Sequence, residues 1–226
     1  MTSKRLIVAI DGPAGAGKSL AARLLADRLG YALLDTGAIY RAMALRAREQ
    51  GIGWDDGPGV AALAANLDLA FRLEGGLNHV VANGVDVTAA IRTPEISEGA
   101  SRVSALPEVR NALLDLQRRI GGLGGVVVEG RDIGTVVFPG AEVKFFLTAS
   151  IEERARRRAA ELRAAGRPAD LEQTRAEMQA RDERDSTRAT APLRRADDAV
   201  EIDSSALGPD EVVGQMAAIV TSRAGR

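Results

Sequence analysis

The sequence predicts one α/β domain, a five-stranded parallel sheet flanked by helices and interrupted by a small antiparallel β insertion. Three observations carry that prediction. Five short apolar runs alternate with segments of helical periodicity, the signature of strands joined by crossover helices. The first run leads into Gly12-Pro13-Ala14-Gly15-Ala16-Gly17-Lys18-Ser19, which satisfies G-x-x-x-x-G-K-[ST], a phosphate-binding loop that belongs between a strand and a helix. Between about residues 67 and 87 the period shortens to two, and Asn83-Gly84 supplies a hairpin turn.

Arg5 to Ile10 is a β-branched run that reads as a buried parallel strand. Leu20, Leu24, Leu25 and Leu29 recur at helical spacing up to Gly30, so the loop has the flanking elements its chemistry needs. Glycine lets the backbone approach polyphosphate, main-chain N–H groups wrap it, Lys18 reaches the β- and γ-phosphates, and Ser19 ligates Mg2+. Nucleoside triphosphate binding follows from the loop and its setting. Tyr31 to Leu34 is a second buried strand ending in Asp35-Thr36-Gly37, at the carboxyl edge where open α/β sheets bind ligands. A helix is expected from about Ala38 to Gln50, with Tyr40 and Arg41 in its first turn; taken alone, they read as a core tyrosine beside a surface arginine. Residues 51–58 read as loop. The insertion follows, with an alternating run from Leu67 to Leu73, a turn at Gly75-Gly76, a strand at His79-Val80-Val81 and the Asn83-Gly84 hairpin before Val85 and Val87. His79 reads as a solvated strand residue.

Thr93-Pro94-Glu95 opens a helix carrying Ser101 and Ser104, and Pro107 begins another whose apolar stripe is Val109, Ala112, Leu113, Leu116 and Ile120. Arg110 falls off that stripe and by itself reads as a solvated charge. Gly124 to Val128 is the third buried strand, and Glu129-Gly130-Arg131-Asp132-Ile133-Gly134-Thr135 at its tip packs three charges against glycines. A carboxylate in that place resembles the acid that helps hold Mg2+ and its water beside a phosphate loop. Val143 to Leu147 is the fourth strand. Two polar helices then flank Gly166-Arg167-Pro168, one with Arg154, Arg156, Arg157 and Arg158, the other from Asp170 to about Ser186 with Arg181, Arg184 and Asp185. The pattern suits a mobile lid and a solvated helical hairpin equally. Val200 to Asp203 is the fifth strand, and residues 210–222 form the closing helix.

Composition excludes several classes. The formal net charge of −1 over 226 residues argues against a general nucleic-acid or membrane surface. Without cysteine there is no disulfide, thiolate nucleophile or thiolate metal site, and with His79 alone there is no histidine cluster, so any metal must be held by oxygen. No apolar run nears the ~20 residues of a membrane span, and the first residues lack a signal-peptide pattern, so a cytoplasmic location is expected.

Four segments go further. Ile10-Asp11-Gly12-Pro13 with Gly17-Lys18-Ser19, Leu34-Asp35-Thr36-Gly37-Ala38-Ile39-Tyr40-Arg41, and Glu129-Gly130-Arg131-Asp132-Ile133-Gly134-Thr135-Val136-Val137-Phe138-Pro139 are joined by Arg181-Asp182-Glu183-Arg184-Asp185-Ser186 with Arg188. Together with Ala191-Pro192-Leu193 and Ala196-Asp197-Asp198-Ala199, they resemble the bacterial cytidylate kinases over nearly the whole chain. The resemblance implies the P-loop nucleoside-monophosphate kinase fold. It implies a single kinase domain over residues 1–226, an inserted monophosphate-binding subdomain at 55–105 and a helical lid at 154–188. The reaction implied is transfer of the γ-phosphoryl group of ATP to CMP or dCMP, with Mg2+, in a monomer whose partners are small nucleotides.

By the same resemblance Gly12 to Ser19 and Leu20 bind ATP, while Lys18, Arg131, Arg181 and Arg188 are the catalytic cations. Thr36, Tyr40, Arg41, Ser101, Arg110, Arg131, Asp132, Arg181, Asp185 and Arg188 bind CMP, and Ser19 holds Mg2+, joined directly or through water by Glu129. The arginines make chemical sense, because phosphoryl transfer asks little covalent work of the protein and needs two polyanions held in line. A planar guanidinium binds phosphate bidentately and keeps its charge. Asp132 would accept from the cytosine amino group, Arg110 would donate to the ring acceptors with Ser101 assisting, and the uracil carbonyl would be repelled. Asp185 would face the ribose hydroxyls. Leu20 stands where the family usually has threonine and Glu129 where some members have aspartate, but Ser19 keeps the hydroxyl that Mg2+ needs. The competing readings are a kinase of UMP, AMP or shikimate on the same scaffold, and a P-loop regulatory ATPase; against the latter, no Asn-Lys-x-Asp guanine-reading motif is present.

Overall fold

Parallel strands cannot be joined by tight hairpins, so the chain must be carried back across the sheet between them, by α-helices after the first, second and fourth apolar runs and by a π-helical turn and loop after the third. The computed structural model describes residues 5–74 and 77–225. In chain order the elements begin with β1 (Ile7–Asp11), α1 (Lys18–Leu29), β2 (Ala32–Asp35), α2 (Thr36–Glu49) and α3 (Gly57–Ala64). Next come β3 (Leu69–Glu74), β4 (Leu77–Ala82), β5 (Val85–Asp86), a 3-10 turn (Ala90–Arg92), α4 (Pro94–Val103) and α5 (Pro107–Gly121). β6 (Val126–Glu129), a π-helical turn (Ile133–Val137), β7 (Val143–Thr148), α6 (Ile151–Ala164), α7 (Leu171–Thr187), β8 (Val200–Asp203) and α8 (Pro209–Ala224) complete the chain.

The large sheet is parallel throughout, in the order β2-β6-β1-β7-β8. Its two faces are both covered. Val127, Val8, Ile10, Phe145 and Leu147 pack under α1 and α8, while Val126, Val128, Ala9 and Leu34 pack on the opposite side with Ile39 and Met43 of α2 and Leu113 of α5. Burial on both faces explains why the strands are continuously apolar. The register pairs Ile10 with Glu129 and Asp35 with Glu129, so Asp35, Glu129 and Asp11 stand at the carboxyl ends of three adjacent strands. The second sheet is antiparallel, β3-β4-β5. Asn83 (φ 49°) and Gly84 (φ 81°) both take positive φ, as a two-residue hairpin of the Asn-Gly type requires. The turn expected at Gly75-Gly76 lies outside the described residues.

Three local differences from the sequence reading have physical causes. α2 starts at Thr36 rather than Ala38, because the Asp35 side chain accepts from the Ala38 N–H at 2.9 Å and caps the helix earlier. α3 has no counterpart in the sequence reading, in which residues 51–58 are loop. It stands because Asp56 caps it, accepting from Gly59 N–H at 2.9 Å, and because it packs on α5. The π-helical turn was also missed. Its bonds span five residues, Val137 N–H to Asp132 O at 3.1 Å and Phe138 N–H to Ile133 O at 2.7 Å, and no sequence period marks such a turn. Among the described residues no helix is long and apolar enough to cross a membrane.

Trp54, the sole tryptophan, donates to the Ala44 carbonyl at 2.9 Å and lies flat against Gly99 of α4. A Cβ at Gly99 would sit 2.6 Å from Trp54 Cζ2. Gly99→Ala should therefore gain about 1 kcal/mol of helix propensity yet lose about 1–3 kcal/mol to overpacking. The expected outcome is a lower urea midpoint together with a shifted Trp54 emission; a stabilised variant with unchanged fluorescence would show that the ring yields freely.

Candidate active site

The phosphate loop begins where β1 ends. Gly12 has φ +146°, and a Cβ there would overlap the Leu147 carbonyl, so only glycine lets the chain turn this close to β7. α1 then starts at Lys18, whose ammonium donates to the Pro13 carbonyl at 2.6 Å across the loop. The loop is gripped from the other side by the α6–α7 hairpin. Asp182 accepts from Ala14 N–H at 3.3 Å, Arg154 donates to the Ala14 carbonyl at 3.1 Å, and Arg154 and Asp182 pair with each other. Beneath it, Ser204 donates to the Ala16 carbonyl at 3.2 Å, and Arg157 donates to the Ser204 hydroxyl and carbonyl at 3.1 and 2.6 Å.

The second half of the site lies beside the tips of β2 and β6. Thr36 donates to the Glu129 carbonyl at 2.7 Å, tying the two tips together. Arg41 donates to the Gly37 carbonyl at 3.1 Å and to Asp35 at 3.5 Å. Arg131 reaches Asp185 of α7 at 2.9 Å. Asp132 is held between two arginines: Arg110 pairs with one oxygen, and Arg188 donates to the other at 3.3 Å. Arg110 also lies over the Tyr40 ring, 5.6 Å from its centroid, and donates to the Ser104 carbonyl at 3.1 Å. Its reading as a solvated charge is thereby overturned, since only 6% of it is exposed. No helical pattern could have shown this, because the partner that buries it is Asp132, on another element. Ser101 is buried on α4, with Arg184 of α7 donating to its hydroxyl at 3.4 Å. Arg184 also pairs with Glu98 at 3.2 Å.

Both halves open into one cleft of about 1580 Å3. Ala14 to Leu20, Thr36, Tyr40, Arg41, Glu129, Arg131, Asp132, Arg181, Asp185 and Arg188 all line it. Gly12, Pro13, Ser101 and Arg110 stand behind its wall, the last two bonded to wall residues.

The cleft is electrostatically tense. Lys18 is held well below the ordinary lysine range by burial and then by Arg131 and Arg181, against the pull of Glu129 and Asp185. Arg181 is pushed down to about 10 by burial and by Arg131, and its Nε is buried with no partner among the described residues. Burial, then the neighbouring charge of Asp35, pushes Glu129 up to about 7, opposed by Lys18 and by a hydrogen bond from the Ser19 hydroxyl. Asp185 stays below the usual carboxylate range in spite of burial, because Arg131, Arg181 and Arg188 surround it.

The oxygens of Ser19 and Glu129 suit Mg2+. They are hard donors bonded to each other beside the phosphate loop, and among the described residues no cluster of three or more acidic, histidine or cysteine side chains forms a closed cage. Mg2+ commonly takes one or two protein oxygens and completes its shell with phosphate and water. Sequence reasoning missed Asp11, Arg154, Asp182, Arg157 and Ser204. Asp11 and Asp182 lie inside the quoted motif segments, whereas Arg157 was one of several arginines on a polar helix, and nothing marked Ser204.

A phosphate loop whose lysine adjoins an arginine-lined second compartment, on this five-stranded sheet, defines a P-loop kinase of the nucleoside-monophosphate type. The sequence matches the family described as "Cytidylate kinase" over residues 8–222, and the chain belongs to that family. It is 57% identical over 218 residues to a "Cytidylate kinase" of Geobacter sulfurreducens, covering 96% of this chain and 94% of the relative. It is 53% identical over 221 residues to a "Cytidylate kinase" of Syntrophotalea carbinolica, covering 98% and 94%. A gluconokinase structure from Sinorhizobium meliloti 1021 is similar in fold alone, at 16% identity with a TM-score of 0.50, covering 98% of this chain and 96% of that one.

The raised Glu129 fixes the sign of a pH effect. Its folded pKa of about 7 lies above the unfolded value, so the stability it contributes is present below about 4.5 and is lost as pH rises through about 7. Urea midpoints of nucleotide-free protein should therefore fall for wild type relative to Glu129→Gln between pH 5 and 8; a constant difference would mean that the carboxyl is not desolvated as described.

Proposed function

We propose that this protein transfers the γ-phosphoryl group of ATP to CMP and dCMP, giving ADP with CDP or dCDP, and that Mg2+ assists. One observation carries the reading: Lys18 of the donor loop lines the same cleft as Arg131 and Arg181. Cations gathered in one cleft repel one another, and two juxtaposed phosphates are the ligand that relieves them. Lys18 and the loop N–H groups address the donor. Arg41, Arg131, Arg181 and Arg188 hold the acceptor phosphate and the transferring group, with Thr36 and Tyr40 beside the acceptor. Mg2+ would be held by Ser19, with Glu129 on its shell, and would supply charge neutralisation between the β- and γ-phosphates.

Asp132 is the base reader. Its two oxygens meet Arg110 and Arg188, which orient the carboxylate as an acceptor for the cytosine amino group. Arg110 donates to the ring acceptors, Ser101 assists, and Asp185 faces the sugar. The insertion at 55–105 forms the acceptor side and residues 154–188 act as the lid. The working unit in this reading is a monomer.

A coupled ADP-release assay across CMP, dCMP, UMP and AMP tests the assignment. CMP and dCMP should turn over fastest, and a faster UMP or AMP rate would overturn it. Lys18→Ala should lower kcat by on the order of 10³-fold or more while CMP still binds. Asp132→Asn should erode the CMP-over-UMP preference by about 10- to 100-fold, and an unchanged preference would remove Asp132 from that role.

A further inference from the structure

Arg131 and Asp132 are strung between two moorings on β1. Upstream, the Gly130 N–H donates to the Ile10 carbonyl at 3.0 Å, where β6 leaves the sheet. Downstream, the N–H groups of Ile133 and Gly134 donate to the two oxygens of Asp11, at 2.8 and 2.7 Å. Only Arg131 and Asp132 lie between the moorings, and Asp11 runs directly into Gly12 of the phosphate loop. We propose that Asp11 is a positioning residue that fixes the acceptor-side pair Arg131 and Asp132 relative to the phosphate loop. The inference rests on the role given above to that pair.

The chemistry of the contact explains why the residue is an aspartate. The two N–H donors go to separate oxygens, which a carboxylate supplies and an asparagine does not. An amide in its place would turn an NH2 group towards one of the two N–H groups. Simple capping of the π-helical turn could use a serine or threonine hydroxyl at far lower desolvation cost. Here Asp11 is 4% exposed. Burial raises its pKa to about 6 in spite of both backbone bonds, with Asp132 raising it and Lys18 of α1 lowering it. A charge kept at such a cost, at the junction of donor and acceptor segments, suits a reaction in which sub-ångström alignment governs rate. Gly134 completes the seat, because a Cβ there would lie 3.0 Å from Lys144 Cδ and 3.4 Å from Asp11 Oδ2.

The test compares Asp11→Asn and Arg131→Ala with wild type. Steady-state kinetics, calorimetric binding of CMP and of ATP separately, and thermal denaturation are measured on each. For Asp11→Asn, kcat should fall about 30- to 100-fold while each nucleotide alone binds within about threefold of wild type and the folded fraction at assay temperature is unchanged. A kcat within twofold of wild type overturns the proposal, as does a loss that only tracks unfolding. Arg131→Ala separates the two claims: if it retains wild-type kinetics, the acceptor-side reading itself fails, whereas a slow Arg131→Ala beside a fast Asp11→Asn defeats the Asp11 role alone. Should Asp11→Asn not fold, Asp11→Ser carries the same expectation, and failure of both to fold would mark Asp11 as structural and overturn the proposal.

Discussion

Lys18, Arg131 and Arg181 line one cleft, and their mutual repulsion is what the remaining polar architecture answers to. An unpaired buried cation costs on the order of several kcal/mol, so carboxylates are distributed to meet the charges of the site and its rim. Asp185 meets Arg131, Asp132 meets Arg110 and Arg188, Asp35 meets Arg41, and Asp182 meets Arg154. These acids stand at strand tips, on the segment after β6 or on α7, so backbone topology decides where compensation is available. At Arg181 the charge meets Asp185, but the buried Nε has no hydrogen-bond partner among the described residues. A cleft balanced only in part attracts a polyanion more strongly than a neutral one does.

The α6–α7 hairpin is attached unevenly. Towards the phosphate loop it presents a buried pair, Arg154 and Asp182, both bonded to Ala14, and packs Met178 and Ala155 against the same residue. Gly15 takes φ +74° there, a conformation that favours glycine. Towards α4 the described ion pair is Arg184 with Glu98, about half exposed, a class worth about 0–1 kcal/mol. One edge of the hairpin is thus clamped to the donor loop and the other is lightly held. The sequence left a lid and a solvated hairpin open because both have the same polar periodicity, and only tertiary contacts distinguish a clamped edge from a wet one.

Much of the fold was legible because burial on both faces leaves an unmistakable record, as in Val126-Val127-Val128 or Leu33-Leu34. α3 left none, since its stability comes from a cap and from α5 rather than from its own glycine-rich composition. In the site, residues whose chemistry is local were readable: the phosphate loop, and Asp35 before a helix. Residues whose role depends on a distant partner were not. Arg110 and Asp132 are 22 positions apart, and Asp11 bonds the chain more than 120 residues further on. For such pairs it was the resemblance to a family, not periodicity or spacing, that carried the expectation where there was one.

The alignment of Asp35, Glu129 and Ile10 across three neighbouring strands turns the sheet into a ruler. Successive residues of a strand are about 3.3 Å apart and face opposite ways. If β6 slid by one position, Glu129 would leave the side of Ser19 and Arg131 would move by about the length of a P–O–P bridge, with every substitution-sensitive residue still present. Single-residue insertions or deletions between Gly124 and Val128 are therefore a more severe class of damage than replacements there.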